Sequence, residues 1–296
     1  MTPGVGTRAD APSRTPFGQR MLMAMEDLGP LCVGIDPHPA LLAQADLPDD
    51  PGGLEQFALR ILEAVGGQVA AVKPQSAFFE RHGSAGIAVL ERVLRDCSAA
   101  GTISILDVKR GDIGSTMTAY AQAYLVDGAP LAADAVTLSP YLGFEALRPG
   151  VDAAAAHGRG VFVLALTSNP EGASVQHHGS PPVAAQIIAD VAQENQSTQL
   201  SRRGAGHVGL VIGATRADAL RDLGVLDDLR ESAAIILAPG VGAQGATGRD
   251  LAAAFAGYTD HVLAPVSRAL LANGLEVAAI RAATTALGHE LRDALR

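Results

Sequence analysis

The stretch TISILDVKRGDIGST, residues 102 to 116, decides how this chain is read. It opens as a run of β-branched and apolar residues, in the manner of a buried strand. It ends in Asp107, Lys109, Arg110 and Asp112, with a glycine on either side of Asp112. Side chains alternate between the faces of a strand, so Ile105, Asp107 and Lys109 share one face while Leu106 and Val108 share the other. Asp112 follows across a short turn, and Ser115 is placed to cap the next helix. Charges crowded at the end of a buried strand are costly unless they are paired or used. A structural ion pair would account for one Asp and one Lys taken alone, so the surroundings decide.

Seven more runs of this kind occur: LCVGID from 31, VAAVKP from 69, DAVTLS from 134, VFVLAL from 161, HVGLVIG from 207, AIILAPG from 234 and DHVLAPV from 260. Helical periodicity lies between them. Leu54, Phe57, Ala58, Ile61, Leu62 and Val65 fall on one face of a helix. Over 84 to 100, Ser84 is placed as the N-cap, Ile87, Leu90, Leu94 and Cys97 form the buried stripe, and Gly101 can end the helix. Continuous apolar strands alternating with helices imply a parallel sheet covered on both faces. Eight such units fit a single-domain α/β (β/α)8 TIM barrel over residues 17–296, with a doubly wound sheet as the alternative. The longest gap, 167 to 206, holds the loop TSNPEGASVQHHGSPP and a helix-like 183 to 200.

Composition narrows the function classes. The chain has 296 residues, 48% of them hydrophobic, with seven Phe, four Tyr and no Trp, so the core must be built from Ala, Val, Leu and Ile. A formal net charge of −9 argues against nucleic acid or an anionic membrane as a partner, since both are bound by summed positive charge. An anionic ligand must then meet a local positive site. Cys32 and Cys97 lack metal-ligand spacing and read as small buried hydrophobes in a reducing compartment. Residues 1–16 are rich in Pro, Gly and polar groups without the apolar centre of a signal peptide, which suggests a frayed extension and a cytoplasmic protein.

Two further strand ends face the mouth of such a barrel. VKPQ places Lys73 at the end of the second strand, and GIDPH places Asp36 at the end of the first. A lone lysine there reads as a snorkelling side chain and a lone Asp before Pro as a turn residue; three consecutive strands ending in charge favour a site. PGVGAQG, 239 to 245, formally contains GxGxxG, but the dinucleotide fingerprint belongs in a first βαβ unit. After the seventh strand it is better read as a phosphate-binding loop, with Gln244 as a neutral donor and Arg268, after the eighth strand, as the charge. His177 and His178 are adjacent in a polar loop, poor spacing for a metal.

In order along the chain, GIDPH, VKPQ, LDVKRGDIGST, TSNP, PGVGAQG and VSR resemble the orotidine 5′-phosphate decarboxylase family. The likeness runs from residue 17 to about 285 and is greatest to a mycobacterial type of bacterial branch. The resemblance implies decarboxylation of orotidine 5′-monophosphate to uridine 5′-monophosphate and CO2 in pyrimidine synthesis, with no cofactor and no metal, by a homodimer. By position, Lys73, Asp107, Lys109 and Asp112 would form an alternating charged array. Asp112 and Thr116 would reach into the neighbouring subunit's site. Asp36 would hold a ribose hydroxyl, Ser168 rather than Thr167 the pyrimidine, and Gln244 with Arg268 the phosphate. Two features depart from the more familiar branch: the loop after the fifth strand is longer, and the arginine sits slightly further past its strand.

The chemistry agrees with such an array. Losing CO2 from C6 leaves an sp2 carbanion that the ring delocalises poorly, and no cofactor motif in the sequence offers an electron sink. Fixed charge must serve instead. A related sugar-phosphate barrel enzyme using Mg²⁺ would need a carboxylate where this chain has Lys73. A Schiff-base aldolase would need a lysine activated by desolvation or cationic neighbours, whereas Lys109 is flanked by acids. A non-catalytic nucleotide binder would be expected to lose a member of the array first.

Overall fold

The computed structural model describes residues 14–196, 204–242 and 245–296. All eight expected runs form strands: β1 Leu31–Ile35, β2 Ala71–Pro74, β3 Ile103–Arg110, β4 Ala135–Leu138, β5 Gly160–Leu166, β6 Val208–Ile212, β7 Ile236–Leu237 and β8 Val262–Val266. They pair in sequence order, every pair parallel, and β8 closes on β1. An open doubly wound sheet would keep two unpaired edges, so closure sets that alternative aside.

The strand alternation builds two cores. Val33, Val72, Leu106, Val136, Val163, Leu210 and Ile236 face outward into the layer shared with the helices. Cys32, Ala71, Ile105, Ala135, Phe162, Ile235 and Leu263 fill the barrel interior. With so few aromatics, the interior is filled by Ala, Ile and Leu, and Phe162 is the one strand phenylalanine in this cluster. The helix Phe17–Leu28 closes the N-terminal end, where Phe17 and Met21 are fully buried. The rings of Phe17 and Phe162 meet edge to face with centroids 5.9 Å apart. Gly160 is required there, because a Cβ would come within 2.2 Å of the Phe17 ring.

Helices follow the periodic segments closely. Pro51–Val65 buries Leu54, Phe57, Ala58, Ile61, Leu62 and Val65, and Asp50 caps it by accepting the Gly53 N–H at 2.9 Å. Gly83–Ala99 buries Leu90, Leu94 and Cys97, joined by Val89 and Val93, while Ile87 is only half-buried. Neither Ser84 nor Ser115 is a cap. Gly83 and Gly114, at φ +60° and +52°, begin their helices one residue earlier, which leaves both serines exposed inside the first turn. Gly101, at φ +67°, follows the helix end as expected. The helix expected over 183 to 200 spans Val183–Gln196, and its remainder lies outside the described residues.

Most of the expected N-terminal extension also lies outside them. Of its last residues, Arg14 pairs with Asp134, which further accepts from Arg20 at 2.8 Å and from the Ser104 N–H at 2.9 Å. Cys32 and Cys97 are buried, and burial pushes both thiols up to about 12. Among the described residues no helix is long and apolar enough to cross a membrane.

Candidate active site

The C-terminal ends of β1 to β4 converge on one carboxylate. Asp107, on β3, lies 3.0 Å from Lys73 Nζ on β2 and 2.6 Å from Lys109 Nζ, two residues further along its own strand. Its Oδ2 accepts from Lys73 and from Gln75 Nε2 at 2.9 Å, and its Oδ1 accepts from Lys109 and from Thr137 Oγ1, on β4, at 2.8 Å. Four donors occupy the four acceptor positions of an ionised carboxylate. Asp36, just past β1, is 4.0 Å from Lys73.

Burial alone would push the Asp107 carboxyl up. The charges of Lys73 and Lys109, with the Lys109 and Thr137 hydrogen bonds, outweigh it and hold the group well below the usual carboxylate range. Burial alone would lower Lys73, yet Asp107 and then Asp36 raise it above an ordinary lysine. Both groups are therefore fixed as ions. Lys109 differs in exposure: its side chain is 48% accessible, against 11% for Lys73. It also has φ +44°, the left-handed region that non-glycine residues avoid.

The array forms one wall of a cavity of about 610 Å³. Leu164, Val211, Leu237 and Pro265 line the other side. That apolar wall lowers the local dielectric and strengthens every charge interaction opposite it. At the seam of β1 and β8, Asp36 Oδ1 and Ser267 Oγ are buried with no hydrogen-bond partner among the described residues. Gly34 permits this approach, since a Cβ there would lie 2.7 Å from Ser267 Cβ. Orphaned polar atoms in a cavity wall are ready partners for a ligand hydroxyl.

Thr167 and Ser168, after β5, both line the cavity. The Thr167 hydroxyl is already engaged, accepting from Gln176 Nε2 and donating to Asn169 Oδ1, each at 2.7 Å. Arg216, after β6, donates to the carbonyl of Thr167 at 2.9 Å and to that of Ser168, which fixes this turn. The loop after β7 turns through glycines at φ +124° and +72°, Gly240 and Gly242, and a bond from Gly242 N–H to Ala246 O at 2.9 Å closes it. The following helix, Gly248–Ala254, starts only after a capping box at Thr247, so the GxGxxG run does not open a helix as a dinucleotide fingerprint must. A Cβ on Gly242 would meet Ala269 at 3.1 Å, so this loop packs on the turn that carries Arg268. Arg268 is exposed, lines the cavity and has no carboxylate partner among the described residues. Gln244 lies outside them.

Asp112 and Thr116 stay outside this cavity. Asp112 Oδ1 accepts its neighbour Ile113 N–H at 2.8 Å, and Thr116 is exposed. Around them the surface is unusually apolar: Ile113, Tyr141 and Leu142 are 62, 80 and 53% exposed, on the adjoining loops after β3 and β4. Gln75, Thr137, Ser267 and Arg216 were not singled out in the sequence. Gln75 stood within the VKPQ run and Thr137 two residues after Ala135 on the inward face, so alternation offered a signal for the second. Among the described residues no group of three or more His, Cys, Asp or Glu side chains is placed to hold a metal ion.

Comparison with known proteins adds to this geometry. The model of the orotidine 5′-phosphate decarboxylase / HUMPS family matches residues 29–283. The orotidine 5′-phosphate decarboxylase of Salinispora arenicola is 52% identical over 282 residues, covering 94% of this chain and 98% of its own. That of Streptomyces coelicolor is 49% identical over 284 residues, covering 95% and 98%. A crystal structure from Streptomyces avermitilis assigned to the same enzyme superposes with TM-score 0.89 at 47% identity, covering 98% of this chain and 99% of that one. The Leishmania donovani OMP decarboxylase structure gives 0.74 at 30% identity, over 95% and 99%.

Proposed function

The chain belongs to the orotidine 5′-phosphate decarboxylase / HUMPS family, and we propose that it decarboxylates orotidine 5′-monophosphate to uridine 5′-monophosphate and CO2. The observation that carries this reading is a single buried carboxylate, Asp107, held between two lysines on the wall of a half-apolar cavity. Such a site presents fixed charge where negative charge develops, with no reorganisation at the moment of reaction.

Roles follow from the protonation states and exposures. Asp107 is saturated by donors and stays ionised, so it cannot give a proton. Lys73 is held as a buried cation by Asp107 and Asp36. Lys109, charged and accessible, is the group left to protonate C6 as the carboxylate departs. Bond by bond, C6–CO2 breaks with its electron pair on C6, the pair takes the proton from Lys109 Nζ, and solvent restores that proton after release. Lys73 and Lys109 stabilise the anionic centre, and Asp107 orients both.

Asp36 and Ser267 are suited to a ribose hydroxyl, Asp36 Oδ1 as acceptor. Ser168, whose hydroxyl has no partner among the described residues where that of Thr167 is engaged, would bond the pyrimidine. Arg268, with Gln244 from the preceding loop, would hold the phosphate, remote binding energy that can drive closure of the site. Asp112 and Thr116, placed outside their own cavity beside an exposed apolar surface, would complete the site of a second copy in a homodimer. The protein is read as a cytoplasmic enzyme whose partner is a small nucleotide rather than nucleic acid or membrane.

The test is turnover of orotidine 5′-monophosphate, followed by absorbance in buffer containing EDTA, with Lys109→Ala alongside. Turnover in the wild type that is lost in the variant is the expected result. Activity that appears only when Mg²⁺ is restored would move the protein to sugar-phosphate chemistry and overturn the reading.

A further inference from the structure

Lys109 must hold its ammonium beside Asp107 while its backbone sits at φ +44°. For a long unbranched residue that conformation is unfavourable and persists only where the surroundings over-determine it. One side chain does so here. Thr137, at the end of β4, accepts the Lys109 backbone N–H at 2.9 Å and donates the same hydroxyl's proton to Asp107 Oδ1 at 2.8 Å. Thr137 is 1% exposed; its bond to Asp107 is buried and its bond from the Lys109 N–H partly buried.

The register between the strands makes this bond necessary. β3 and β4 pair regularly at Ile105 with Ala135 and Leu106 with Val136, then slip, so that Arg110 meets Leu138. Four residues on β3 are thus spanned by two on β4, and the backbone between them must bulge. The Lys109 N–H falls inside this irregularity, and the Thr137 hydroxyl accepts it there.

We propose that Thr137 is a positioning residue for the decarboxylation: its hydroxyl clamps the left-handed turn at Lys109 and the carboxylate of Asp107 in one geometry, aiming the proton donor. The inference rests on the decarboxylase reading above. A methyl in place of the hydroxyl removes both bonds at once at nearly constant volume, taking from the partly buried Lys109 N–H and from one buried carboxylate lone pair the partner each has here.

The test compares Thr137→Val and Thr137→Ser with the wild type for kcat, KM and binding of uridine 5′-monophosphate. Thr137→Val is expected to lose about 10- to 100-fold in kcat with product affinity within threefold, and Thr137→Ser to recover most of the loss. A purely packing role predicts the reverse order, with the serine variant the worse of the two, and that outcome overturns the proposal; so does a valine variant with wild-type kcat. A crystal structure of Thr137→Val reads the clamp without turnover: Lys109 should leave the left-handed region, and an unchanged φ would refute it. Absence of wild-type turnover would instead count against the decarboxylase reading, leaving the clamp to be judged on that structure.

Discussion

Substituting Asp107→Asn removes the charge on which the site is centred while keeping its shape. Lys73 would then remain 8% exposed, with Asp36 at 4.0 Å as its nearest anion among the described residues. Taking one partner from a buried pair costs roughly 3–5 kcal/mol, and because Asp36 keeps part of the attraction the expected loss of stability at pH 7 is about 3 kcal/mol. The pH dependence is the sharper readout. In the wild type the folded Lys73 titrates above the ordinary lysine value of 10.5, so its stabilisation is complete below that value and fades as pH rises through the folded one. In the variant burial prevails and Lys73 titrates lower folded than unfolded. The unfolded state then binds the extra proton, and the difference from wild type should shrink between pH 7 and pH 10. Urea denaturation of both proteins across that range measures it. A deficit under about 1 kcal/mol at pH 7, or one that does not change with pH, would refute the idea that Lys73 is held charged by Asp107. Turnover should fall at least 100-fold, the scale for losing one preorganised electrostatic group.

Arg268→Ala should lower kcat/KM by about 10- to 100-fold, the worth of hydrogen bonds to a charged group; steady-state kinetics with an unchanged kcat/KM would remove it from the phosphate site. If Asp112 completes a second copy's site, Asp112→Ala and Lys109→Ala, each nearly inactive, should regain about a quarter of wild-type activity when refolded together, because one site in each mixed dimer is intact. No recovery, with mixed dimers demonstrated by native mass spectrometry, would confine both residues to one site. Phe17→Ala, at the far end of the barrel, should cost about 3–5 kcal/mol in urea denaturation with kcat within twofold, separating the stability end of the fold from the chemical end.

Much of this fold is legible because parallel strands buried on both faces read as unbroken apolar runs. VFVLAL and HVGLVIG could hardly be anything else, and they became β5 and β6. Helix starts were harder. Ser84 and Ser115 are good caps by type, but a preceding glycine in the left-handed region turned the chain into the helix first. The conformational freedom of a neighbour overrode side-chain preference, which a residue-by-residue reading does not weigh.

The site divides along a similar line. Asp107, Lys73 and Asp36 stand out because charge at the end of an apolar strand is expensive, and the cost itself is the signal. Thr137 carries no such mark, since threonine is ordinary in strands. Its importance depends on the slip between β3 and β4, a property of how the barrel closes rather than of any local run. The same holds for Ser267 and Gly34, which meet only because β8 returns to β1. Charges that do the chemistry announce themselves in one dimension, whereas the neutral groups that aim them are recognisable only once closure has set which strand ends are neighbours. A sequence reading of such a barrel should therefore search the inward positions of the strand following each charged one for hydroxyl and amide side chains, since those are the groups able to fix a lysine without neutralising it.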